Sequence, residues 1–268
     1  MRYKNYPITI AKSDEYISPT RKSKCIFISP SIHFYTTMIR LLLSSYWKVI
    51  RNYYDEYNWA TASCEFIRKL ERVGVKFHIT GMKYITSFEG PAVFVANHMS
   101  TMETIILPGI IQPVKSVSFV MKKDLLKVPL FGKVSGSRDP IIVGRTNPRE
   151  DLMHVLTQGS EKLKAGKSLF IFPGRSRSKY FEAKKFNTLG IKLAQRNDVH
   201  IVPLALVTDA WGEGKKFKDA GKIDPNKEVK MAFGEPFKVE KDSNAAHERV
   251  LTFIKDKFIE WGRAEFVR

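Results

Sequence analysis

Short, nearly continuous apolar runs constrain this chain most. Val75–Thr80, Ala92–Ala96, Val117–Met121, Ser168–Phe172, Ile201–Val207 and Val229–Phe233 are rich in β-branched and aromatic residues, and each reads as a strand. They do not alternate apolar with polar, so the sheet they build is expected to be buried on both faces. Helical patterns lie between them at Trp59–Val73, Thr101–Ile111, Arg149–Ala165, Lys185–Gln195 and Ala245–Phe266. Alternation of the two kinds predicts an α/β fold, a largely parallel central sheet flanked by helices. Residues 1–55 read as an appended N-terminal helical segment and 56–268 as the folded domain. A chain of 268 residues buries enough apolar surface to need no staples.

Charge narrows the partners. The chain carries 45 Lys+Arg against 27 Asp+Glu, a formal net charge of +18. Such an excess fits nucleic acid, an anionic membrane surface or a phosphorylated substrate. No nucleic-acid-binding motif is present, and many aromatics fall inside the expected strands, which disfavours nucleic acid. From Phe34 to Tyr54 the chain reads FYTTMIRLLLSSYWKVIRNYY, apolar and aromatic residues with Arg40, Lys48 and Arg51 among them. That composition suits a helix lying in a membrane interface, or one packed on the protein body. No stretch has the length and apolarity of a spanning helix, and the N-terminus lacks the make-up of a signal peptide. Cys25 and Cys64 have the spacing of neither a zinc site nor a redox pair, and no His/Cys/Asp cluster has metal-ligand spacing. A P-loop and a Rossmann glycine fingerprint are both missing.

Chemistry concentrates after the strand Ala92–Ala96, where the chain continues Asn97-His98-Met99-Ser100-Thr101-Met102-Glu103. Ligands of open α/β sheets gather at the carboxyl ends of strands. On a straight helix, five residues turn roughly 140°. His98 and Glu103 therefore meet only if His98 lies in the loop before the helix and Glu103 in its first turn. A carboxylate on one imidazole nitrogen would fix the tautomer and leave the other nitrogen as a base. The competing reading is a capping box, Ser100-x-x-Glu103, in which Glu103 only satisfies the backbone of Ser100. The histidines His33, His78, His154, His200 and His247 read as packing or surface residues.

Val-Ala-Asn-His98-x4-acid resembles the first block of the glycerolipid acyltransferases of the lysophosphatidate acyltransferase (PlsC) type. Further blocks follow in order. Met121–Gly132 is similar to the block that starts with a basic residue and ends in P-x-x-G. Ile141–Arg145 resembles the phosphate-binding segment, Phe170–Ser178 the F-P-E-G-T-R-S block, and Val202–Ala205 the strand carrying V-P. Five ordered blocks over about residues 75–240 make the resemblance specific. Two positions depart from the family pattern. Glu103 replaces the usual Asp, and an ungapped alignment puts Gly174 and Arg175 where the family has Glu and Gly, with Arg177 and Ser178 kept.

The resemblance implies an O-acyltransferase, PlsC-like and membrane-associated, in phospholipid biosynthesis or remodelling. It would move a fatty acyl group from acyl-ACP (acyl carrier protein) or acyl-CoA to the hydroxyl of a lysophospholipid. The acceptor would be a lysolipid like 1-acyl-glycerol-3-phosphate. Such an enzyme binds no cofactor, and a peripheral or monotopic place on the cytoplasmic face of a membrane follows. The implied catalytic pair is His98 and Glu103. The implied substrate-binding residues are Arg145, Gly174, Arg175, Ser176, Arg177 and Ser178, with Lys184 next. Lys122, Lys123 and Lys127 would form a basic rim. No metal is implied. The altered Phe170–Ser178 block keeps open a non-glycerophosphate acceptor such as lyso-ornithine lipid, or a non-catalytic lipid-binding relative.

Overall fold

A computed structural model describes residues 6, 10–19, 29–174, 176–214, 218 and 220–268. Along the chain it forms β1 (Tyr16–Ile17), α1 (Pro30–Ile50), α2 (Glu56–Arg72), β2 (Phe77–Thr80), α3 (Lys83–Thr86), β3 (Ala92–Ala96) and α4 (Met102–Ile111). There follow β4 (Val117–Lys122), α5 (Phe131–Gly136), β5 (Ile141–Val143), α6 (Pro148–Lys164), β6 (Ser168–Ile171), α7 (Leu189–Arg196), β7 (His200–Val207), β8 (Val229–Phe233) and α8 (Ser243–Glu260). The strands make one eight-stranded sheet in the order β1-β2-β8-β7-β3-β6-β4-β5. Pairing is parallel from β7 through β3, β6 and β4 to β5, and between β2 and β8. It is antiparallel between β7 and β8 and between β1 and β2.

The apolar runs are buried on both faces, as their composition predicts. All five residues of β3 are buried, and they divide by alternation. Ala92, Phe94 and Ala96 join the core under α2 and α4, while Val93 and Val95 join the core under α6, α7 and α8. Two expected helices are shorter than their patterns. The segment expected to be helical from Lys185 makes only a 3-10 turn at Ala183–Lys185, and α7 starts at Leu189. The last helix stops at Glu260, because Gly262 takes a left-handed φ of 67° and Ala264–Phe266 turns separately.

The N-terminal segment is partly woven into the body. β1 pairs with the edge strand β2. Phe34 of α1 is fully buried and meets the Trp211 ring edge-on at 5.0 Å. The opposite side of α1 is different. Ile32, Ile39, Leu43, Trp47 and Ile50 follow one another at helical spacing and are exposed, with exposed Arg40 and Arg51 beside them. Among the described residues, no helix is long and apolar enough to cross a membrane. Cys25 lies outside the described residues, and burial pushes the Cys64 thiol up to about 12, so Cys64 serves as a small core residue.

α4 is seated by a close approach to α2. A Cβ added at Gly109 would stand 2.8 Å from the Cys64 backbone nitrogen and 3.0 Å from its Sγ. Gly109→Ala is expected to destabilise the fold by about 1–3 kcal/mol through overpacking, read as a lowered denaturation midpoint. An unchanged midpoint would show that the two helices have slack.

Candidate active site

Three parallel strands end side by side at the site. β3 runs into Asn97 and His98, its neighbour β6 into Phe172–Ser178, and its other neighbour β7 into Thr208. The junction is fastened by Asn97, whose side chain extends the β3–β7 pairing past the last ladder bond. Its Nδ2 donates to the Leu206 carbonyl and its Oδ1 accepts from the Leu206 N–H, both at 2.8 Å. From the β6 side, the Ser178 N–H donates to the His98 carbonyl at 2.9 Å.

His98 sits in the loop and Glu103 in the first turn of α4, the one arrangement in which the two can meet. Nδ1 of His98 lies 2.5 Å from Oε2 of Glu103. A carboxylate only accepts, so Nδ1 carries the proton and the Nε2 of the neutral ring keeps its lone pair. Phe172 stacks on the imidazole, with ring centroids 4.3 Å apart and planes 22° apart. The His98 side chain is 18% exposed and the Glu103 side chain 0%. Glu103 is at once a partner of His98 and a helix cap. Its Oε1 accepts the N–H groups of Met99 at 3.0 Å and Ser100 at 2.9 Å, while Oε2 turns to the histidine. The two sequence readings therefore describe the two oxygens of one carboxylate.

The expected substrate-binding residues divide into those near this pair and one at the sheet edge. Arg177 donates from Nη1 to Oγ1 of Thr101, at the start of α4. Ser178 is tied to the His98 backbone, and its Oγ accepts from the Tyr180 N–H at 3.0 Å. Ser176 is exposed and Gly174 half-buried in the same loop, and Arg175 lies outside the described residues. Gly174 does not have a left-handed φ. An added Cβ would meet only the Ser176 carbonyl oxygen, at 3.5 Å, so the position has room for a side chain. Arg145 follows β5, the sheet edge, and two strands separate β5 from β3, a span of roughly 14 Å. Its backbone is left-handed at φ 61°, and the N–H groups of Gly144 and Arg145 are held by the Asp151 carboxylate at 2.9 and 2.7 Å. The basic rim is solvated: Lys123 and Lys127 are exposed, and Lys122 pairs with Asp124 at 2.6 Å. Lys184 is exposed in the turn before α7.

Phe172, Asn97 and Thr208 belong to the site and were not singled out by sequence. Phe172 stands inside the F-P block, and Thr208 directly follows the last residue of β7, the position where ligand-facing residues of such sheets gather.

Residues 76–207 match the family model described as Acyltransferase. This stretch is similar to acyltransferase domains. The chain is 35% identical over 150 residues to the 1-acyl-sn-glycerol-3-phosphate acyltransferase of Pseudomonas aeruginosa, a match covering 55% of each. It is 30% identical over 142 residues to the chloroplastic 1-acyl-sn-glycerol-3-phosphate acyltransferase of Arabidopsis thaliana, covering 52% of this chain and 37% of the relative. It thus spans about half or less of these relatives. The fold is that of the acyltransferase PlsC from Thermotoga maritima, with TM-score 0.66 over 87% of this chain and 95% of that one, at 18% identity. The matched stretch places His98 and Phe172 at adjoining strand ends.

Asn97→Ala removes the side chain that bonds both the N–H and the carbonyl of Leu206 at this junction. The expected cost is about 2 kcal/mol or more, from two buried backbone groups left unpaired, measured as a lowered unfolding free energy in denaturant. A near-zero change would mean that the junction holds without it.

Proposed function

We propose that this chain transfers a fatty acyl group from acyl-ACP or acyl-CoA to the hydroxyl of a lysophospholipid such as 1-acyl-glycerol-3-phosphate. The reading is carried by the 2.5 Å contact between His98 and the buried Glu103, with Nε2 left as an acceptor. A lipid hydroxyl is a poor nucleophile near neutral pH. His98 takes its proton as the oxygen attacks the thioester carbonyl, a contribution of typically 10²–10⁴-fold. Glu103 keeps the ring oriented and balances the imidazolium that forms. The intermediate collapses with C–S cleavage, and the departing thiolate takes the proton from the His98 imidazolium, so the base is restored and no covalent acyl-enzyme is needed once donor and acceptor are held together. Backbone N–H groups near Gly174–Ser176 or at the start of α4 are the proposed oxyanion donors.

Arg177 and Arg145 are the proposed phosphate ligands, since guanidinium gives paired, permanently charged contacts to phosphate. Room at Gly174, where the family carries Glu, supports a second acceptor reading, a lysolipid with another headgroup. The exposed apolar stripe of α1, with Arg40 and Arg51 beside it, supports a peripheral or monotopic place on the anionic cytoplasmic face of a membrane.

Two measurements test this. Purified protein is given acyl-ACP and acyl-CoA with a panel of lysolipids that includes lysophosphatidate and lyso-ornithine lipid. Turnover is expected on at least one acceptor, reduced about 10²-fold or more by His98→Ala. No turnover, or equal turnover by the variant, refutes acyl transfer by His98. For the membrane, Leu43→Glu with Trp47→Glu leaves the buried side of α1 intact. It is expected to weaken binding to vesicles containing phosphatidylglycerol about tenfold or more. Unchanged binding would assign the stripe another role.

A further inference from the structure

The hydrogen bonds around Glu103 continue beyond His98 and the helix start. Thr208 Oγ1 donates to Oε1 of Glu103 across 105 residues of sequence. Ser100 Oγ donates to Thr208 Oγ1 at 2.8 Å, and the Met102 N–H donates to Ser100 Oγ at 3.1 Å. Each hydroxyl receives one hydrogen bond and passes one on, all in the same direction, and the carboxylate is the last acceptor. Ser100 is 4% exposed, and Thr208 and Glu103 are 0%. In a buried chain of this kind each bond polarises the next.

We propose that Thr208 is a positioning residue, holding Oε1 of Glu103 so that Oε2 faces Nδ1 of His98. The proposal rests on the reading of His98 as the base and adds how its orientation is maintained. Glutamate has one more rotatable bond than aspartate, so its carboxylate has more ways to miss the ring. Two donors to Oε1, the N–H groups of Met99 and Ser100, come from the same short turn as the histidine. The third comes from the residue that follows β7, a separate strand, and ties the carboxylate to the sheet. With Met99, Ser100, Thr208 and His98 as donors, about four acceptor positions of the carboxylate are filled. Thr208 is itself anchored, since its N–H points at Met99 Sδ at 3.3 Å and it directly follows Val207, the last residue of β7, which is paired with Lys230 of β8.

Thr208→Val removes the hydroxyl and nearly keeps the shape, and Thr208→Ser keeps the hydroxyl. Steady-state kinetics with the acceptor found active should show kcat down about tenfold or more in Thr208→Val, KM for both substrates within about twofold, and recovery in Thr208→Ser. Ser100→Ala leaves the Thr208 hydroxyl in place and removes its upstream donor. A smaller loss of kcat in the same direction is expected, and this variant decides the matter should Thr208→Val not fold. Proton NMR supplies a readout free of turnover. The His98 Nδ1–H should exchange with solvent faster in Thr208→Val than in wild type or Thr208→Ser. Wild-type kcat in Thr208→Val, a loss that Thr208→Ser does not restore, or unchanged Nδ1–H exchange would each overturn the proposal. If the wild-type protein turns over no acceptor, acyl transfer itself fails, and the exchange measurement alone decides the role of Thr208.

Discussion

A buried carboxylate with four donors is the constraint on which the rest of the site depends. Glu103 is fully shielded from water, and an anion in that position is tolerated only when its lone pairs are filled. The donors come from the loop after β3 and from the end of β7, and they meet on a carboxylate carried by the first turn of α4. Satisfying Glu103 therefore requires β3 and β7 to keep their register, with β7 running on past the end of β3, and α4 to start where it does. The paired Asn97–Leu206 bonds and the close seat of Gly109 on α2 serve that same registration. What looks like separate work, capping a helix and orienting a histidine, is done by the two oxygens of one side chain.

Much of the fold was legible because burial on both faces writes itself as unbroken apolar runs. Six such runs are strands, with ends off by a residue or two. Other elements had too little pattern to show. β1 is two residues long and β5 three, and each forms because a neighbouring strand offers an edge. The over-long last helix had a local cause: periodicity continues past Glu260, while Gly262 turns the backbone. In the site, His98 and Glu103 stand five residues apart and could be read together. Thr208 could not, because its bond to Glu103 spans 105 residues and depends on strand order, which no local pattern carries. Arg145 and Arg177 stand in separate blocks with the same implied role, and the sheet places one at its edge and the other against the start of α4.

The net charge of +18 also takes on a shape. Its cations at Lys123, Lys127, Arg40 and Arg51 are exposed, the last two beside an apolar stripe that a water-facing helix has no reason to keep. Arg177, in contrast, is partly buried and engaged with Thr101. The same residue type thus meets solvent in one region and organises the site in another.

The central claim concerns one proton: Glu103 holds it on Nδ1 of His98, leaving Nε2 free to act as the base. Nitrogen NMR of protein labelled with ¹⁵N-histidine measures this directly at a pH where the ring is neutral. The account predicts a protonated Nδ1 and an unprotonated Nε2 for His98, with the opposite tautomer or an even mixture in Glu103→Ala. A wild-type ring protonated on Nε2 would contradict it.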